Sequence, residues 1–382
     1  MFDKKHFIAG FYKQQDQYKS FFPSKINKPY YWQDRKIEVL LEKATRFLGE
    51  LNAFSSLIPD IESFIKIYVV KEATDSSKIE GTKTNLNEAL MPKEEIVSEK
   101  RDDWQEVQNY IKAMNWAIKQ LDKLPLSIRL LKRAHKRLLA GARGRHKLPG
   151  EIRKSQNWIG GSSLQDAFFI PPHNQDITKL LSDLEKFWHN QNLLMPHLIK
   201  TAISHYQFET IHPFLDGNGR IGRLMITLYL VSFGILTKPT LYLSDFFKKN
   251  RGDYLDSLTV VRTSNDLDQW LKFFLTGVIK TSGKGKLTLK NIIKLRERYE
   301  GLIGSKVSTK RQKLALQLLV KLFSKPTISV KNISQMLSVT FPTANSLAEE
   351  FLQTGLFKEK TGQARNRLFY LWEYINLFEK IK

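Results

Sequence analysis

The segment at residues 212–223, HPFLDGNGRIGR, constrains the fold more than any other part of the chain. Proline disfavours helical backbone angles at the residue before it, so Pro213 predicts that the helical run of residues 198–211 ends at the histidine. The apolar run at residues 221–233 predicts a second helix that ends at Gly234. Two helices are therefore expected to meet at a short glycine-rich loop.

This loop is expected to bind phosphate where it opens the second helix. Gly217 and Gly219 can adopt backbone angles that are closed to other residues, which lets successive N–H groups converge on an anion. A helix start adds unpaired N–H groups and the positive end of the helix dipole. Arg220 and Arg223 are three residues apart and share a helix face, and both guanidinium groups can form paired hydrogen bonds with phosphate oxygens.

A carboxylate and an imidazole accompany the predicted phosphate site. Phosphates would repel Asp216 unless a cation lay between them, and a hard divalent ion such as Mg²⁺ can bridge carboxylate and phosphate. His212, at the end of the first helix, is placed to act as a base. The residues by themselves therefore indicate a site that holds a nucleoside triphosphate and activates a nucleophile.

The same glycines also fit a dinucleotide-binding fingerprint. Gly217, Gly219 and Gly222 have the spacing GxGxxG, but that motif requires a preceding β-strand. Residues 199–210 have a helical period and no run of β-branched residues. A Rossmann site is therefore disfavoured.

A metallohydrolase is a further alternative for this region. His205, Glu209, His212 and Asp216 are all possible metal ligands, but they lack the compact two-histidine spacing of zinc-binding helices. For His205 we expect a packed, hydrogen-bonded side chain.

The whole segment, with HYQFETI at residues 205–211 before it, resembles the signature of Fic-domain enzymes. The resemblance implies that His212 deprotonates a Ser, Thr or Tyr hydroxyl of a target protein, which attacks the α-phosphate of ATP, leaves AMP on the protein and releases pyrophosphate. It also implies that Asp216 holds Mg²⁺ and that Arg223 binds the γ-phosphate. The implied ATP site comprises Gly217, Asn218, Gly219, Arg220, Ile221, Gly222 and Arg223.

A second motif lies upstream, in a predicted helix that closes at Gly81. Ser76 and Glu80 share one face of this helix, and a carboxylate in its last turn costs about 0.3–1 kcal/mol unless a cation compensates it. The run SSKIEG at residues 76–81 resembles the inhibitory motif of many Fic proteins. The resemblance implies that Glu80 pairs with Arg223 and blocks the γ-phosphate position.

Residues 157–172 have the pattern of a β-hairpin, with two short apolar arms around a polar turn and prolines ending the second arm. This segment resembles the flap of Fic proteins. Its exposed edge would pair with an extended segment of a target through main-chain hydrogen bonds.

Residues 242–247 and 250–254 are similar to the Fic segment that follows the central helix. Asn250 and Tyr254 are the residues in it that we predict to contact adenine, although ordinary packing is an alternative for each.

Composition favours a soluble globular protein with a basic surface. The 382 residues suffice for two or three domains, and the net charge of +23 favours an acidic partner such as nucleic acid. No apolar run approaches the 18 or so residues of a membrane span, and the N-terminus lacks a signal-peptide core. We therefore predict a cytoplasmic protein, and the absence of cysteine excludes disulfides and thiolate chemistry.

The predicted fold class is mainly α, with a Fic helical core, a β-hairpin flap and a C-terminal winged helix-turn-helix. We predict an N-terminal helical region with the inhibitory helix at residues 1–120, a catalytic core at 121–278, a linker and connecting helix at 279–305, and the winged helix at 306–382. The linker assignment depends on TSGKGK at residues 281–286 and on a further break at Gly304.

The C-terminal prediction comes from three helical runs followed by two strands, at residues 356–360 and 367–371. Residues 306–382 hold 13 Lys and Arg against 5 Asp and Glu. Nucleic acid and protein are equally expected as partners of this region. The basic residues that we expect to meet phosphates on the wing are Lys358, Lys360, Arg365 and Arg367.

Adenylylation of protein hydroxyls, restrained by Glu80, is the leading functional hypothesis. The reverse reaction, removal of AMP with Glu80 as the base, is an alternative. Phosphoryl transfer as in Doc-type relatives is disfavoured, because those proteins carry a lysine where this chain has Gly219. A nucleic-acid-binding regulator with a Fic core is the hypothesis from a different class. A homo-oligomer is compatible with the sequence.

Overall fold

The computed structural model of the chain describes residues 7–58, 60–141, 144–360 and 367–379, and most of these are helical. The first six helices are α1 (Lys36–Ser56), α2 (Ile61–Ile79), α3 (Leu86–Ala89), α4 (Arg101–Gln120), α5 (Ile128–Leu138) and α6 (Asn174–His189). None of the helices in the described ranges combines the length and apolar character that a membrane span requires.

An antiparallel hairpin precedes these helices. Strands β1 (Gly10–Gln14) and β2 (Lys19–Pro23) pair so that Gly10 lies opposite Pro23. The prediction of purely helical structure before residue 120 is wrong here. The hairpin depends on tertiary packing, because Phe21 is buried against Phe169 of the distant flap segment.

The centre of the molecule is a pair of buried helices, α7 (His197–Ile211) and α8 (Asn218–Ser232). Every residue from Leu198 to Ile211 is buried, and α8 is buried from Ile221 to Leu230. A helix that is buried on all sides belongs to the interior of a domain. Both predicted helices are confirmed, and the loop between them is held from both ends.

Three further helices complete this region. They are α9 (Ser244–Lys249), α10 (Arg251–Ser264) and α11 (Leu267–Lys306). α11 is continuous through residues 279–305, so the predicted linker at 281–286 and the predicted break at Gly304 are wrong. A Cβ on Gly283 or Gly285 would lie 3.4 or 3.3 Å from side chains of α1. These glycines therefore let α11 approach α1 closely. The glycine-rich composition that predicted a flexible linker instead reflects this close helix packing.

The C-terminal region consists of helices around a small sheet. Its elements are α12 (Gln312–Ser324), β3 (Thr327–Ser329), α13 (Val330–Leu337), α14 (Phe341–Gln353), β4 (Lys358–Glu359), β5 (Leu368–Tyr370) and α15 (Trp372–Glu379). The sheet is antiparallel in the order β3-β5-β4. Three helices and a hairpin occur in the predicted order, while the winged helix-turn-helix assignment itself stays a prediction. The predicted wing turn, with Arg365, lies outside the described residues.

Aromatic side chains join this region to α2. Phe64 packs edge-on against Phe323 and Tyr374, with ring centroids 5.3 and 6.3 Å away. Tyr68 packs against Phe378 of α15 at 5.0 Å. The C-terminal region therefore packs against α2, the helix that carries the predicted inhibitory motif.

Two glycines of α11 offer a matched test of this packing. Gly301→Ala should stabilise the protein by about 0.5–1 kcal/mol, because a Cβ there would meet open space and alanine favours the helix. Gly277→Ala should destabilise it by about 1–3 kcal/mol, because the Cβ would lie 2.7 Å from the buried ring of Phe246. Urea unfolding of both variants measures the difference. Equal stabilisation by the two substitutions would contradict the packing described for Gly277.

Candidate active site

The loop between α7 and α8 is shaped by two left-handed residues and one buried amide. α7 ends at Ile211, and His212 and Gly217 have φ angles of 48° and 76°. The side chain of Asn218 accepts a hydrogen bond from the N–H of Phe214 and donates one to its carbonyl, both at 2.8 Å. α8 starts at Asn218, so its first N–H groups have no carbonyl of the same helix to bind. The predicted helix start at the glycine loop is therefore confirmed, and its binding of phosphate stays a prediction.

His212 is held as a neutral base. Its Nδ1 lies 3.3 Å from the carbonyl oxygen of Glu209, and because a carbonyl can only accept, Nδ1 carries the proton. Nε2 is then the nitrogen with the free lone pair. Burial lowers the pKa of His212 to about 4, so the imidazole is uncharged at neutral pH.

His135 supports the loop from α5, and the sequence did not indicate it. Its Nε2 donates to the carbonyl of Asp216 at 2.9 Å, and its Nδ1 accepts from the N–H of Gly150 at 2.8 Å. The ring stacks on Phe214 with 3.8 Å between centroids. Burial lowers the pKa of His135 to about 4, which keeps Nδ1 available as an acceptor.

Arg153 is the second supporting residue that the sequence did not indicate. Its side chain is buried, with 1% of its surface exposed, and donates to the carbonyls of His212 at 3.0 Å, Ser155 at 3.2 Å and Pro172 at 2.5 Å. One guanidinium therefore fastens the loop between α7 and α8 to Ser155, just before the flap segment, and to Pro172 at its end. Local sequence patterns carry no signal for His135 or Arg153, because their partners lie up to 81 residues away.

Asp216 and Arg220 lie at the open side of the loop. The Asp216 side chain is 46% exposed and accepts from Arg220 at 3.4 Å. Arg220 is buried and also pairs with Glu106 of α4 at 3.3 Å, and its carbonyl accepts from the hydroxyl of Tyr110 at 2.8 Å. One accessible carboxylate beside a phosphate cradle fits Mg²⁺, which usually binds one or two carboxylates together with substrate phosphates and water.

Glu80 and Ser76 accept the hydrogen bonds of Arg223, the second arginine of the segment. Arg223 is 2% exposed at its side chain and donates to Oε1 of Glu80 at 2.6 Å. It also donates to the hydroxyl of Ser76 at 2.7 Å and to the Ser76 carbonyl at 3.0 Å. A Cβ on Gly219 would lie 2.2 Å from the same Glu80 oxygen. The glycine therefore makes room for the carboxylate directly over the start of α8.

α2 ends at Glu80 and Gly81, as the sequence predicted. The helix stops at Ile79, Glu80 caps it, and Gly81 has a φ of 101°. Burial alone would raise the pKa of Glu80, but the charge of Arg223 and its hydrogen bond outweigh burial and hold the pKa below the usual value. Glu80 is therefore ionised, and the contact with Arg223 is an ion pair.

His205 is a packed residue, as expected. Its Nδ1 donates to the carbonyl of Gly222 at 3.0 Å, and its Nε2 accepts from the hydroxyl of Tyr254 at 2.8 Å. Both ring nitrogens are occupied, so His205 cannot bind a metal in this arrangement. Among the described residues, no group of three or more His, Cys, Asp and Glu side chains is arranged to hold a metal ion.

Tyr254 packs among side chains of α7, α9 and α11, and Asn250 lies at the end of α9. Tyr254 is 2% exposed and stacks on Phe247 with 4.4 Å between ring centroids. Asn250 joins α9 to α10, and its amide donates to the carbonyl of Phe246 at 2.8 Å. Both side chains have structural partners here, and their contact with adenine stays a prediction.

The flap segment at residues 157–172 has a single antiparallel bridge in place of two full strands. Ile159 and Phe169 exchange hydrogen bonds of 2.8 and 3.0 Å, and Asn157 donates to the carbonyl of Phe214 at 3.0 Å. The carbonyl of Ile170 accepts from the N–H of Phe21 in β2. Phe168, 68% exposed, remains on the outside. The hairpin is thus anchored to the catalytic loop.

Replacing Arg153 tests its role in holding the loop. Arg153→Lys should lower the free energy of unfolding by about 2 kcal/mol or more, because an ammonium cannot reach the three carbonyls and each lost bond to a charged donor costs about 1.5–3 kcal/mol. Arg129→Lys, at an exposed position of α5, should change it by less than about 0.5 kcal/mol. Urea unfolding compares the two, and similar small effects would contradict the anchoring role.

Comparison with known proteins agrees with this geometry. Residues 39–119 match the family described as Fic/DOC family N-terminal, and residues 125–230 match the Fic/DOC family. Protein adenylyltransferase Fic of Aedes aegypti is 31% identical over 125 residues, which are 32% of this chain and 22% of that protein. Protein adenylyltransferase Fic of Drosophila melanogaster is 30% identical over 135 residues, or 33% and 25%. The matched part spans about a quarter of these relatives.

Solved structures show the same fold. A Fic family protein from Desulfovibrio desulfuricans G20 superposes with a TM-score of 0.58 at 21% identity and covers 90% of this chain and 98% of its own. Fic-1 (aa134 - 508) from C. elegans gives a TM-score of 0.50 at 20% identity, over 68% and 74%. Residues 39–119 and 125–230 are therefore two Fic/DOC family regions of this chain, the second of which includes the loop between α7 and α8, and the solved structures agree with them in fold.

Proposed function

We propose that the chain is a protein adenylyltransferase, which transfers AMP from ATP to a Ser, Thr or Tyr hydroxyl of a target protein. The observation that carries the proposal is the state of His212. Its Nδ1 donates to the Glu209 carbonyl, so Nε2 keeps its lone pair, and the Glu80 carboxylate, 2.6 Å from Arg223, also interacts electrostatically with Arg220 and His212. A base and a phosphate cradle in one loop support nucleophilic attack on a phosphate.

In the proposed reaction, His212 accepts the proton and pyrophosphate is the leaving group. The target hydroxyl gives its proton to Nε2 of His212, and its oxygen forms a bond to the α-phosphorus of ATP. The bond from that phosphorus to the β-phosphate bridging oxygen breaks, and pyrophosphate leaves. A positioned base contributes about 10²–10⁴ to such a rate.

The nucleotide would be held by the start of α8. Asn218 and Gly219 present backbone N–H groups, Arg220 adds a buried guanidinium, and the N–H of Gly217, which donates to Oδ1 of Asp216 here, would turn to the phosphate when Asp216 binds the cation. Mg²⁺ would bind Asp216 and neutralise phosphate charge there. Ile221 and Gly222, deeper in α8, would support the cradle from below.

Glu80 is proposed to inhibit this activity. Its ion pair with Arg223, completed by Ser76, occupies the guanidinium that the γ-phosphate would need. A phosphate arriving at Arg223 would meet the charge of Glu80.

Removal of AMP by Glu80 is a second candidate function, supported by the same ionised carboxylate over the cradle. The glutamate would orient a water there.

The target is proposed to dock along residues 157–172. The bridge of Ile159 with Phe169 fixes this segment beside the loop, and Phe168 lies exposed next to it. A target backbone paired there would present its hydroxyl towards His212 without demanding much sequence.

Removing the glutamate tests the proposed inhibition. Glu80→Gly should raise the rate of self-adenylylation at least about ten-fold. This is expected if more than about nine-tenths of the wild-type molecules have Arg223 paired with Glu80. The measurement is transfer of label from α-labelled ATP with Mg²⁺. Glu94→Gly, which removes an exposed glutamate elsewhere, should leave the rate unchanged.

The double variant Glu80→Gly/His212→Ala separates the two parts of the proposal. Its label transfer should fall by about 10²–10⁴-fold from the Glu80→Gly level. Full transfer without the histidine would overturn the catalytic role. An unchanged rate in Glu80→Gly alone, with transfer still dependent on His212, would overturn only the inhibition.

The acid limb of the pH profile reports the state of His212. Because burial lowers its pKa to about 4, the base stays unprotonated as pH falls through the usual histidine range. The kcat/KM of Glu80→Gly should therefore stay level between pH 8 and 6 and decline only as the pH approaches about 4. A decline centred near pH 6.5 would contradict the buried, neutral imidazole.

A further inference from the structure

The basic residues predicted for the wing lie in two different settings in the part of the chain that the structure describes. Lys358 of β4 and Lys360, the residue after β4, alternate with Glu359, so they lie on the same side of this extended segment. On the other face, Arg367 is bound to both Glu359 and Glu349. The two lysines instead line a cleft between the C-terminal region and the segment that follows α2.

This cleft has a volume of about 550 Å³ and two unlike walls. One wall is residues 85–100, with α3 and the turns after it. The other is the sheet and the start of α15, with Tyr370 and Trp372. Its volume lies within the range of about 300–1,000 Å³ usual for small-molecule sites.

The lining of the cleft holds three lysines, Lys100, Lys358 and Lys360, and two acids, Glu88 and Glu95, and the carboxylates of Glu88 and nearby Glu379 attract Lys360. Lys100 is paired with Glu88 at 2.6 Å, and the other oxygen of Glu88 accepts from the N–H of Asn85. Among the residues that the structure describes, neither Lys358 nor Lys360 makes a salt bridge. Lys358 lies over the ring of Trp372 at 3.8 Å, and Lys360 lies 5.9 Å from the ring centroid of Tyr370. Glu95 is the remaining acid of the lining.

We propose that this cleft binds a small organic phosphate, with Lys358 and Lys360 on the phosphate and the aromatic wall of Tyr370 and Trp372 beside the organic part. Two lysines on one strand face suit a phosphate, since each ammonium offers three rotatable donors. The aromatic rings give a flat group an apolar surface to pack on. This site is separate from the cradle at α8, and the inference does not rest on the proposed function.

The position of the cleft gives the ligand two attachments. Its near wall begins at Asn85, five residues after Glu80, and its far wall belongs to the region that packs on Phe64 and Tyr68 of α2. An occupant therefore touches the chain on both sides of the helix that ends at Glu80.

The test is calorimetric titration of the full chain with ADP and, separately, with inorganic pyrophosphate. Lys358→Ala/Lys360→Ala should weaken one binding event at least about ten-fold, while binding at the α8 cradle remains. The matched control is Lys321→Ala/Lys331→Ala, which removes two exposed lysines of the same region and should bind as wild type. Binding of ADP but not pyrophosphate identifies a nucleotide-like ligand, and binding of both identifies the phosphate as sufficient.

Several outcomes would overturn the proposal. One is a titration of Lys358→Ala/Lys360→Ala that matches wild type. Another is an equal loss in the control double variant, which would indicate only general charge attraction. A third is binding of duplex DNA that depends on Lys358 and Lys360 when neither phosphate compound binds the cleft. A crystal of the full chain soaked in ADP should show density beside Trp372, and density in the α8 cradle alone would count against the site.

Discussion

The buried charge of Arg223 is the constraint on which the arrangement of the site depends. A guanidinium removed from water needs an anion and filled hydrogen-bond positions, and leaving such a charge unpaired costs several kcal/mol. In this chain Glu80 supplies the anion, and the hydroxyl and carbonyl of Ser76 fill two further positions. Gly219 leaves the space that the carboxylate needs. The same need for an anion makes Arg223 a suitable partner for a phosphate, so carboxylate and phosphate compete for one cation in the proposed function.

Three buried, neutral histidines are the second feature of the site and its surroundings. His212, His135 and His205 are each held by one carbonyl that accepts from one ring nitrogen. Burial lowers the pKa of each, and the carbonyl decides which nitrogen keeps its proton. In two of them the second nitrogen accepts a hydrogen bond within the protein, from Gly150 or from Tyr254. Of these three histidines, and within the described part of the chain, His212 alone has a second nitrogen without a hydrogen-bond partner, as the proposed base requires.

α2 connects the site to the C-terminal region. Its C-terminal end carries Ser76 and Glu80, and its middle carries Phe64 and Tyr68, which pack on α12 and α15. The buried carboxylate of Glu72 ties the same helix to Ser244 of α9. α2 is therefore held by side-chain contacts at three places along its length.

The sequence by itself determined the local features: the end of α7 before Pro213, the glycine loop, the start of α8 and the end of α2 at Gly81. These depend on backbone angles and helix-end chemistry, which act within a few residues. The pairing of Glu80 with Arg223 was predictable only through the family resemblance, since 143 residues separate them. Only the tertiary structure decided that His135 and Arg153 hold the loop, that α11 continues through its glycines, and that Lys358 and Lys360 line a cleft. Each of these depends on which distant surface a side chain meets, and no local pattern of residues encodes that surface.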